Sequence, residues 1–216
     1  MVWTYNGNQE GKGKTVLGSL KPVYDIVYSD INYGPILTAH GLLAAMTMAP
    51  RLKPKSKVLC VGCGNAYEAV HFKMNGFDVT TFDFHAPEID YLKDRQVIGD
   101  CNDIAFKDGL FDLVMCCEML EHVRPEEAEG CLSELFRVGK DIYRFTIADK
   151  EDPYGDLHLC VKPIDWWREL MEKIGYFIYH IEIMPRFTIF LKVENSAVAI
   201  KEWLYPSGYL IEARKL

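Results

Sequence analysis

Residues 57–66, KVLCVGCGNA, join a short apolar run to a loop that carries two glycines. The apolar run at 58–61 is typical of a buried strand, and a helical pattern follows the loop. Gly62 and Gly64 suit a backbone that turns sharply and approaches a ligand closely, because glycine has no Cβ to obstruct either. The stretch therefore predicts a strand, a ligand-binding loop and a helix, which is the arrangement of a nucleotide-type cofactor site.

The spacing of the glycines helps to decide which cofactor the loop binds. A dinucleotide fingerprint has the pattern G-x-G-x-x-G, in which the third glycine lets the helix pack closely on the strand. In this sequence Tyr67 stands at that third position. The spacing therefore disfavours a dehydrogenase.

Three further stretches follow the loop in order: TFDF at 81–84, GDCNDIAFKDGLFDLVMCCEMLEHV at 99–123 and DLHLCVKPIDWWRELMEKIGYF at 156–177. With the glycine loop, they resemble the ordered motifs of class I S-adenosylmethionine-dependent methyltransferases. The resemblance covers roughly residues 55–194. It implies an α/β fold with a doubly wound, Rossmann-like sheet that is mostly parallel, a closing antiparallel C-terminal hairpin and helices on both faces.

Two positions depart from the pattern of that family. Cys60 stands where an acidic residue is usual, and Ala66 stands where a later glycine is usual. Either change would weaken cofactor binding without abolishing the pattern. A catalytically silent cofactor-binding subunit therefore stays open as an alternative to an enzyme.

The coarse periodicity predicts one structural domain with terminal additions. Residues 1–54 are expected to form an arm and helices that cover the site, 55–195 the cofactor-binding domain, and 196–216 a C-terminal extension. The predicted helices are 35–49, 65–75, 125–139 and 163–175, and the predicted strands are 58–61, 77–82, 96–99, 111–116, 141–148, 177–184 and 188–194. The last two strands form the closing hairpin.

The ends of the predicted strands supply the cofactor contacts. Asp83 ends the second strand about 20 positions beyond the glycine loop, where a carboxylate can accept hydrogen bonds from both ribose hydroxyls; a loop aspartate without a role is the alternative. By resemblance, Asp100 accepts the adenine amino group and its neighbours line the adenine pocket. The full predicted set is Gly62, Cys63, Gly64, Asp83, Phe84, Asp100, Cys101, Asn102 and Glu118.

The proposed chemistry needs a group that handles a proton. A sulfonium methyl is already activated, so the enzyme mainly aligns the acceptor and excludes water. A hydroxyl acceptor also needs a general base. His158 is the first candidate, with Asp156 as an orienting group, and His122 and Glu118 follow. The alternatives are a surface histidine and a Glu-His pair that orders the cofactor. The acidic residues of loop 149–156 offer magnesium as a further alternative to a solvated loop.

Four of the cysteines offer a candidate metal site. Cys60 and Cys63 form a C-x-x-C pair, and Cys116 and Cys117 end a neighbouring predicted strand. Zinc prefers four such ligands, but the first pair falls in the cofactor loop, and cysteine is a common small buried residue. Plain packing is favoured, and no metal is predicted.

Composition limits the class of protein and of partner. The 216 residues, 49% of them hydrophobic, can form one substantial core. The net charge of −7 disfavours a nucleic acid partner, whose phosphates require clustered Lys and Arg. The sequence contains no apolar stretch long enough for a membrane span and its start lacks the core of a signal peptide. With seven cysteines outside any disulfide-framework spacing, a soluble, cytoplasmic protein is expected.

These observations predict an O-methyltransferase that acts on a small hydroxylated or carbohydrate-like acceptor, such as a sugar or glycan precursor. N-methylation of a small amine is the alternative within the enzymes. The aromatic residues of the tail, Trp203, Tyr205 and Tyr209, are expected to serve a substrate cover or a homodimer contact.

Overall fold

The fold is taken from a computed structural model, which describes residues 3–4, 39–85, 89–149, 157–183 and 208–215. The helices of these ranges are α1 (Ala39–Met48), α2 (Tyr67–Met74), α3 (Ala128–Val138) and α4 (Ile164–Lys173). Short 3-10 helices lie at Ala49–Arg51, Lys93–Arg95 and Leu120–His122. The strands are β1 (Trp3–Thr4), β2 (Lys57–Val61), β3 (Asp78–Asp83), β4 (Gln96–Ile98), β5 (Phe111–Cys117), β6 (Gly139–Ala148), β7 (Tyr176–Ile183) and β8 (Gly208–Lys215).

The strands form one sheet with the order β1-β4-β3-β2-β5-β6-β8-β7. The pairs from β1 to β6 are parallel, and β8 pairs antiparallel with both β6 and β7. The chain winds outward from β2 to β4, then returns to the middle at β5 and winds the other way. This reversal between β2 and β5 is the switch point at which doubly wound sheets bind ligands. The predicted fold class is confirmed.

Both faces of the sheet are covered, which explains the continuous apolar runs of the central strands. In β2, Leu59 and Val61 join one buried cluster, whereas Val58 and Cys60 join another on the opposite face. Side chains from α3 and α4, such as Leu132, Phe136, Trp167 and Met171, complete the first cluster. Side chains from α1 and α2, such as Ala45, Met48, Ala69 and Phe72, complete the second.

The closing part of the sheet differs from the prediction. β7 pairs with β8, at Gly208–Lys215, within the segment that was expected to be a C-terminal extension. The predicted hairpin partner, 188–194, lies outside the described residues. Ile211 and Ala213 of β8 are buried in the core, which fixes this strand in the sheet.

A buried ion cluster ties the C-terminal strand to the end of α1. Glu212 is 3% exposed and receives two hydrogen bonds from the Arg51 guanidinium, at 2.6 and 2.9 Å. Arg144 of β6, which is 4% exposed, also pairs with Glu212. The cluster therefore fixes the 3-10 helix after α1 against the antiparallel half of the sheet.

None of the helices in the described ranges has both the length and the apolar character required to cross a bilayer.

Candidate active site

The carboxyl ends of β2, β3 and β4 are held together by backbone hydrogen bonds. The N–H of Gly62 donates to the carbonyl of Phe82 at 2.9 Å, and the N–H of Gly99 donates to the carbonyl of Asp83 at 3.0 Å. Three loops that are distant in sequence therefore form a single cradle at the switch point of the sheet.

The glycine loop adopts a backbone that explains its composition. Gly62 and Gly64 have φ values of +63° and +47°, in the left-handed region that favours glycine. A Cβ on Gly62 would lie 2.3 Å from Cγ of Met119, so that position also needs the space. Ala66 has a φ of +53°, a conformation that costs an alanine about 1–2 kcal/mol. Ala66 thus keeps the left-handed backbone conformation of the loop, at a cost in conformational free energy.

Asp83 presents a buried carboxylate to this loop. Its Oδ2 accepts a hydrogen bond from the Gly64 N–H at 2.9 Å, and its Oδ1 accepts one from the His85 N–H at 3.0 Å. Burial raises the pKa of Asp83 to about 6, although the main-chain hydrogen bonds oppose that rise. Each carboxylate oxygen has a second lone pair, so both can also accept a ligand hydroxyl.

The turn after β4 is organised by Asp100. Its Oδ1 accepts hydrogen bonds from the Asn102 backbone N–H at 2.9 Å and from the Asn102 side-chain amide at 3.1 Å. The amide packs on α3 at Gly130, where a Cβ would come within 2.6 Å of Asn102 Oδ1. Helix α3 therefore supports the turn that was predicted to meet adenine.

Cys101, in the same turn, forms a disulfide with Cys131 of α3, with 5.1 Å between the two Cα atoms. This corrects the expectation that the cysteines lie outside disulfides. No local pattern indicates the bond, because the two residues are 30 positions apart and meet only when α3 packs on the sheet. The other five cysteines are free.

A small cavity lies between the strand ends. Its lining consists of Val61, Gly62, Phe82, Asp83, Phe84, Gly99, Cys101 and Met119. Four of these were predicted cofactor contacts. The other four, Val61, Phe82, Gly99 and Met119, are outside the predicted set; Gly99 had a signal, since it directly follows a strand and precedes Asp100. Its Cβ would lie 2.5 Å from the Phe82 ring.

Glu118 follows β5 in a left-handed conformation, with a φ of +52°. Its Oε2 lies 3.7 Å from Nδ1 of His40 in α1. Burial disfavours charge on both groups, yet their attraction lowers the pKa of Glu118 and raises that of His40. A strained acidic residue paired across the site is typical of functional positions.

Two of the predicted catalytic residues meet at the 3-10 helix that follows Met119. The rings of His122 and His158 lie with centroids 4.7 Å apart, edge to face. Nδ1 of His122 is 3.0 Å from the carbonyl oxygen of Leu157. Burial, and secondarily His158, lower the pKa of His122 to about 4. The third predicted residue, Asp156, lies outside the described residues.

Residues 59–142 match the family described as "Methyltransferase domain". This segment of the chain therefore resembles a methyltransferase domain. The resemblance that the motifs predicted is thereby confirmed.

Individual relatives of the methyltransferase domain fall into two groups. Among curated proteins, an uncharacterized protein of Methanocaldococcus jannaschii is 28% identical over 123 residues, 53% of each chain. The ubiquinone biosynthesis O-methyltransferase of Pectobacterium atrosepticum is 33% identical over 107 residues, 42% of each chain. The chain thus spans about half the length of the curated relatives it matches.

Among solved structures, the 1,6-didemethyltoxoflavin-N1-methyltransferase of Burkholderia thailandensis has a TM-score of 0.71. That structure contains 1,6-didemethyltoxoflavin and S-adenosylhomocysteine. The comparison covers 96% of this chain and 92% of the other, at 17% identity. This likeness concerns the fold of the methyltransferase domain.

The methyltransferase domain brings most of the predicted cofactor contacts to one edge of the sheet. Gly62, Asp83, Phe84 and Cys101 line the cavity, and Gly64 is bonded to Asp83. Asp100 and Asn102 form the adjacent turn. Cys63 and Glu118 are the exceptions. The side chain of Cys63 packs in the core cluster formed with α1 and α2, and that of Glu118 pairs with His40. Their roles in binding remain predictions.

Proposed function

We propose that this chain is an S-adenosylmethionine-dependent methyltransferase that O-methylates a small hydroxylated acceptor. The observation that carries the proposal is the cradle in which the loop at Gly62, the buried carboxylate of Asp83 and the turn at Asp100 meet. A nucleoside needs these features: a close backbone approach, an acceptor for ribose hydroxyls and an acceptor for an exocyclic amine.

The residues of the cradle fit S-adenosylmethionine chemically. Gly62 keeps the backbone open, Asp83 would accept the ribose hydroxyls, and Asp100 would accept the adenine amino group. The apolar lining from Phe82, Phe84 and Met119 suits the flat base and excludes water. When bound, the cofactor supplies an electrophilic methyl group. The neighbour of known structure that holds S-adenosylhomocysteine supports the choice.

The acceptor would be oriented at the edge formed by β5 and the segment from Leu157. Glu118 pairs with His40, and the ring of His122 packs against that of His158. A hydroxyl attacks only if its proton leaves near the transition state. We assign that proton transfer to His158, oriented by Asp156, with His122 as the neighbouring imidazole.

The preference for oxygen over nitrogen rests on this pair of imidazoles and on the name of the Pectobacterium relative, an O-methyltransferase. A neutral amine would need no base, so the two paired histidines favour a hydroxyl acceptor. We also propose a carbohydrate-like acceptor, a cytoplasmic location and a homodimer.

The test uses the purified chain with S-adenosylhomocysteine in a calorimeter, followed by turnover with a panel of hydroxylated compounds, sugars and amines. We expect binding of the product and methylation of a hydroxyl, with the position assigned by mass spectrometry and NMR. A methylated amine would select the N-methyltransferase alternative. Binding without turnover on any acceptor would select the silent subunit, and absence of binding would overturn the proposal.

A further inference from the structure

A second set of donor atoms lies outside the lining of the proposed cofactor cavity. Glu121, His122 and His158 each offer one ligand atom, and these three atoms lie within 4.8 Å of one another. Glu121 and His122 belong to the 3-10 helix at Leu120–His122, which directly follows the cavity residue Met119. His158 comes from the segment after β6.

The orientation of His122 is fixed by the backbone. A carbonyl oxygen can only accept, so the 3.0 Å contact between Leu157 O and Nδ1 assigns the ring proton to Nδ1. That leaves Nε2 with a lone pair for coordination. Metal-bound histidines commonly donate their other ring N–H to such a carbonyl, which fixes the tautomer and the ring orientation.

The two segments that bear the donors are also tied to each other. The N–H of Cys160 donates to the carbonyl of Glu121 at 2.8 Å, which holds the segment with His158 against the 3-10 helix. Glu121 is fully buried, His122 is largely buried and His158 is half-buried. An ion would therefore meet donors whose positions are set before it binds.

We propose that Glu121, His122 and His158 bind one divalent transition-metal ion, with Zn²⁺ as the preferred ion. Two imidazole nitrogens and one carboxylate suit zinc, whereas Mg²⁺ prefers oxygen ligands. Three protein ligands leave a coordination position open to water or to a hydroxyl of the acceptor. This site differs from the sequence expectation that no metal is bound.

The ion would change the role of the histidines. With both imidazole lone pairs engaged, His158 no longer serves as the base; an acceptor hydroxyl on the open position would lose its proton to water, because the ion lowers its pKa. Metal binding itself does not depend on methyl transfer, so it is measured without the proposed activity.

The experiment uses the full chain, stripped with a chelator and then loaded with Zn²⁺ or Co²⁺. Elemental analysis after gel filtration should give about one equivalent per chain. At a free Zn²⁺ concentration 100 times Kd, the Tm should rise by about 5–10 °C. Bound Co²⁺ should show visible d–d absorption without a thiolate charge-transfer band, since no cysteine is among the ligands.

Matched variants locate the ion. Glu121→Gln, His122→Gln and His158→Ala should each weaken binding about 100-fold or more, because loss of even an outer-shell partner costs 10–100-fold. Glu126→Gln, at an exposed carboxylate, and His71→Ala on α2 are controls that should bind like the wild type. If a buried variant fails to fold, His158→Ala on its half-buried segment still decides the question.

Three results would overturn the site. One is retention of less than about 0.1 equivalent of either ion by a chain that is folded by circular dichroism. Another is equal affinity in the His158→Ala variant and the wild type. The third is a thiolate band for Co²⁺, which would move the ion to the cysteines. None of these results would alter binding of S-adenosylhomocysteine, which tests the proposed function separately.

Discussion

The main-chain N–H of Gly64 donates a hydrogen bond to Oδ2 of Asp83, with 2.9 Å between the two atoms. The bond joins the loop after β2 to the end of β3 in a region that is closed to water. A buried hydrogen bond to a charged group contributes about 1.5–3 kcal/mol. The contact therefore shapes the glycine loop and orients the carboxylate that is proposed to hold the ribose.

Asp83→Asn should weaken binding of S-adenosylhomocysteine about 10- to 100-fold, because it removes the charge from the acceptor of the ribose hydroxyls. Isothermal titration calorimetry measures the affinity. Asp78→Asn, at the partly exposed start of the same strand, is the control and should bind like the wild type. Equal affinity for wild type and Asp83→Asn would contradict the assignment of Asp83 as the acceptor of the ribose hydroxyls.

The affinity should also fall as the pH drops through about 6, by up to tenfold per pH unit, because the ribose hydroxyls donate to the ionised carboxylate. Calorimetry between about pH 5 and 8 measures this effect. The Asp83→Asn variant should lack the dependence. Glu68→Gln should retain it, which separates Asp83 from the nearby buried Glu68.

The stability of the free protein should depend on pH in the opposite direction to the binding affinity. Burial raises the folded-state pKa of Asp83 from 3.8 to about 6 and that of Glu68 from 4.5 to about 7. Across these intervals the folded state binds more protons than the unfolded state, so the free energy of unfolding falls as the pH rises from about 4 to 7. Urea denaturation should show a smaller decline for Glu68→Gln; an unchanged slope would contradict the raised pKa of Glu68.

Gly62→Ala should destabilise the fold by about 2–4 kcal/mol, since the new Cβ meets Met119 and the residue has a positive φ. Gly76→Ala is the matched control. It has a φ of +81° with nothing within 4 Å of its Cβ, so it should lose only about 1–2 kcal/mol from backbone strain.

Urea denaturation of the double variant Gly62→Ala, Met119→Ala tests the source of the difference. Truncation of Met119 removes the atoms that the new Cβ would meet. The double variant should therefore lose less stability than the sum of the two single changes. Simple additivity would show that the Gly62 effect comes from the backbone alone.

Glu212→Ala should destabilise the protein by about 3–5 kcal/mol, because it leaves the guanidinium of Arg144 buried without its carboxylate. Arg51→Ala removes the more exposed partner and should cost about 1 kcal/mol or less. Chemical denaturation measures both changes. A similar loss for the two variants would contradict the distinction between the buried and the exposed arginine.

The sequence alone predicted the parts of the site that are continuous in the chain. The run into Gly62 and Gly64 and the aspartate that ends β3 have local signatures in periodicity and spacing, whereas the role of the aspartate that follows β4 was predicted from the family resemblance. Because parallel strands place their carboxyl ends at one edge of a sheet, these residues could be predicted to converge without coordinates.

Other features come from pairs of residues that no local pattern connects. Met119 packs over Gly62, His40 reaches Glu118, Cys101 bonds to Cys131, and Glu121 lies beside His158. The position of β8 between β6 and β7 likewise depends on contacts between segments that are distant in sequence. Strand order and helix packing decide these contacts.

The amino-acid sequence thus determined the fold class and the positions of the proposed cofactor ligands, since hydrophobic periodicity and glycine placement act over a few residues. Only the tertiary structure decided which strand closes the sheet and which side chains surround the cavity. Those choices depend on burial and on contacts between segments up to 161 residues apart, as for Arg51 and Glu212, where the sequence carries no local signal.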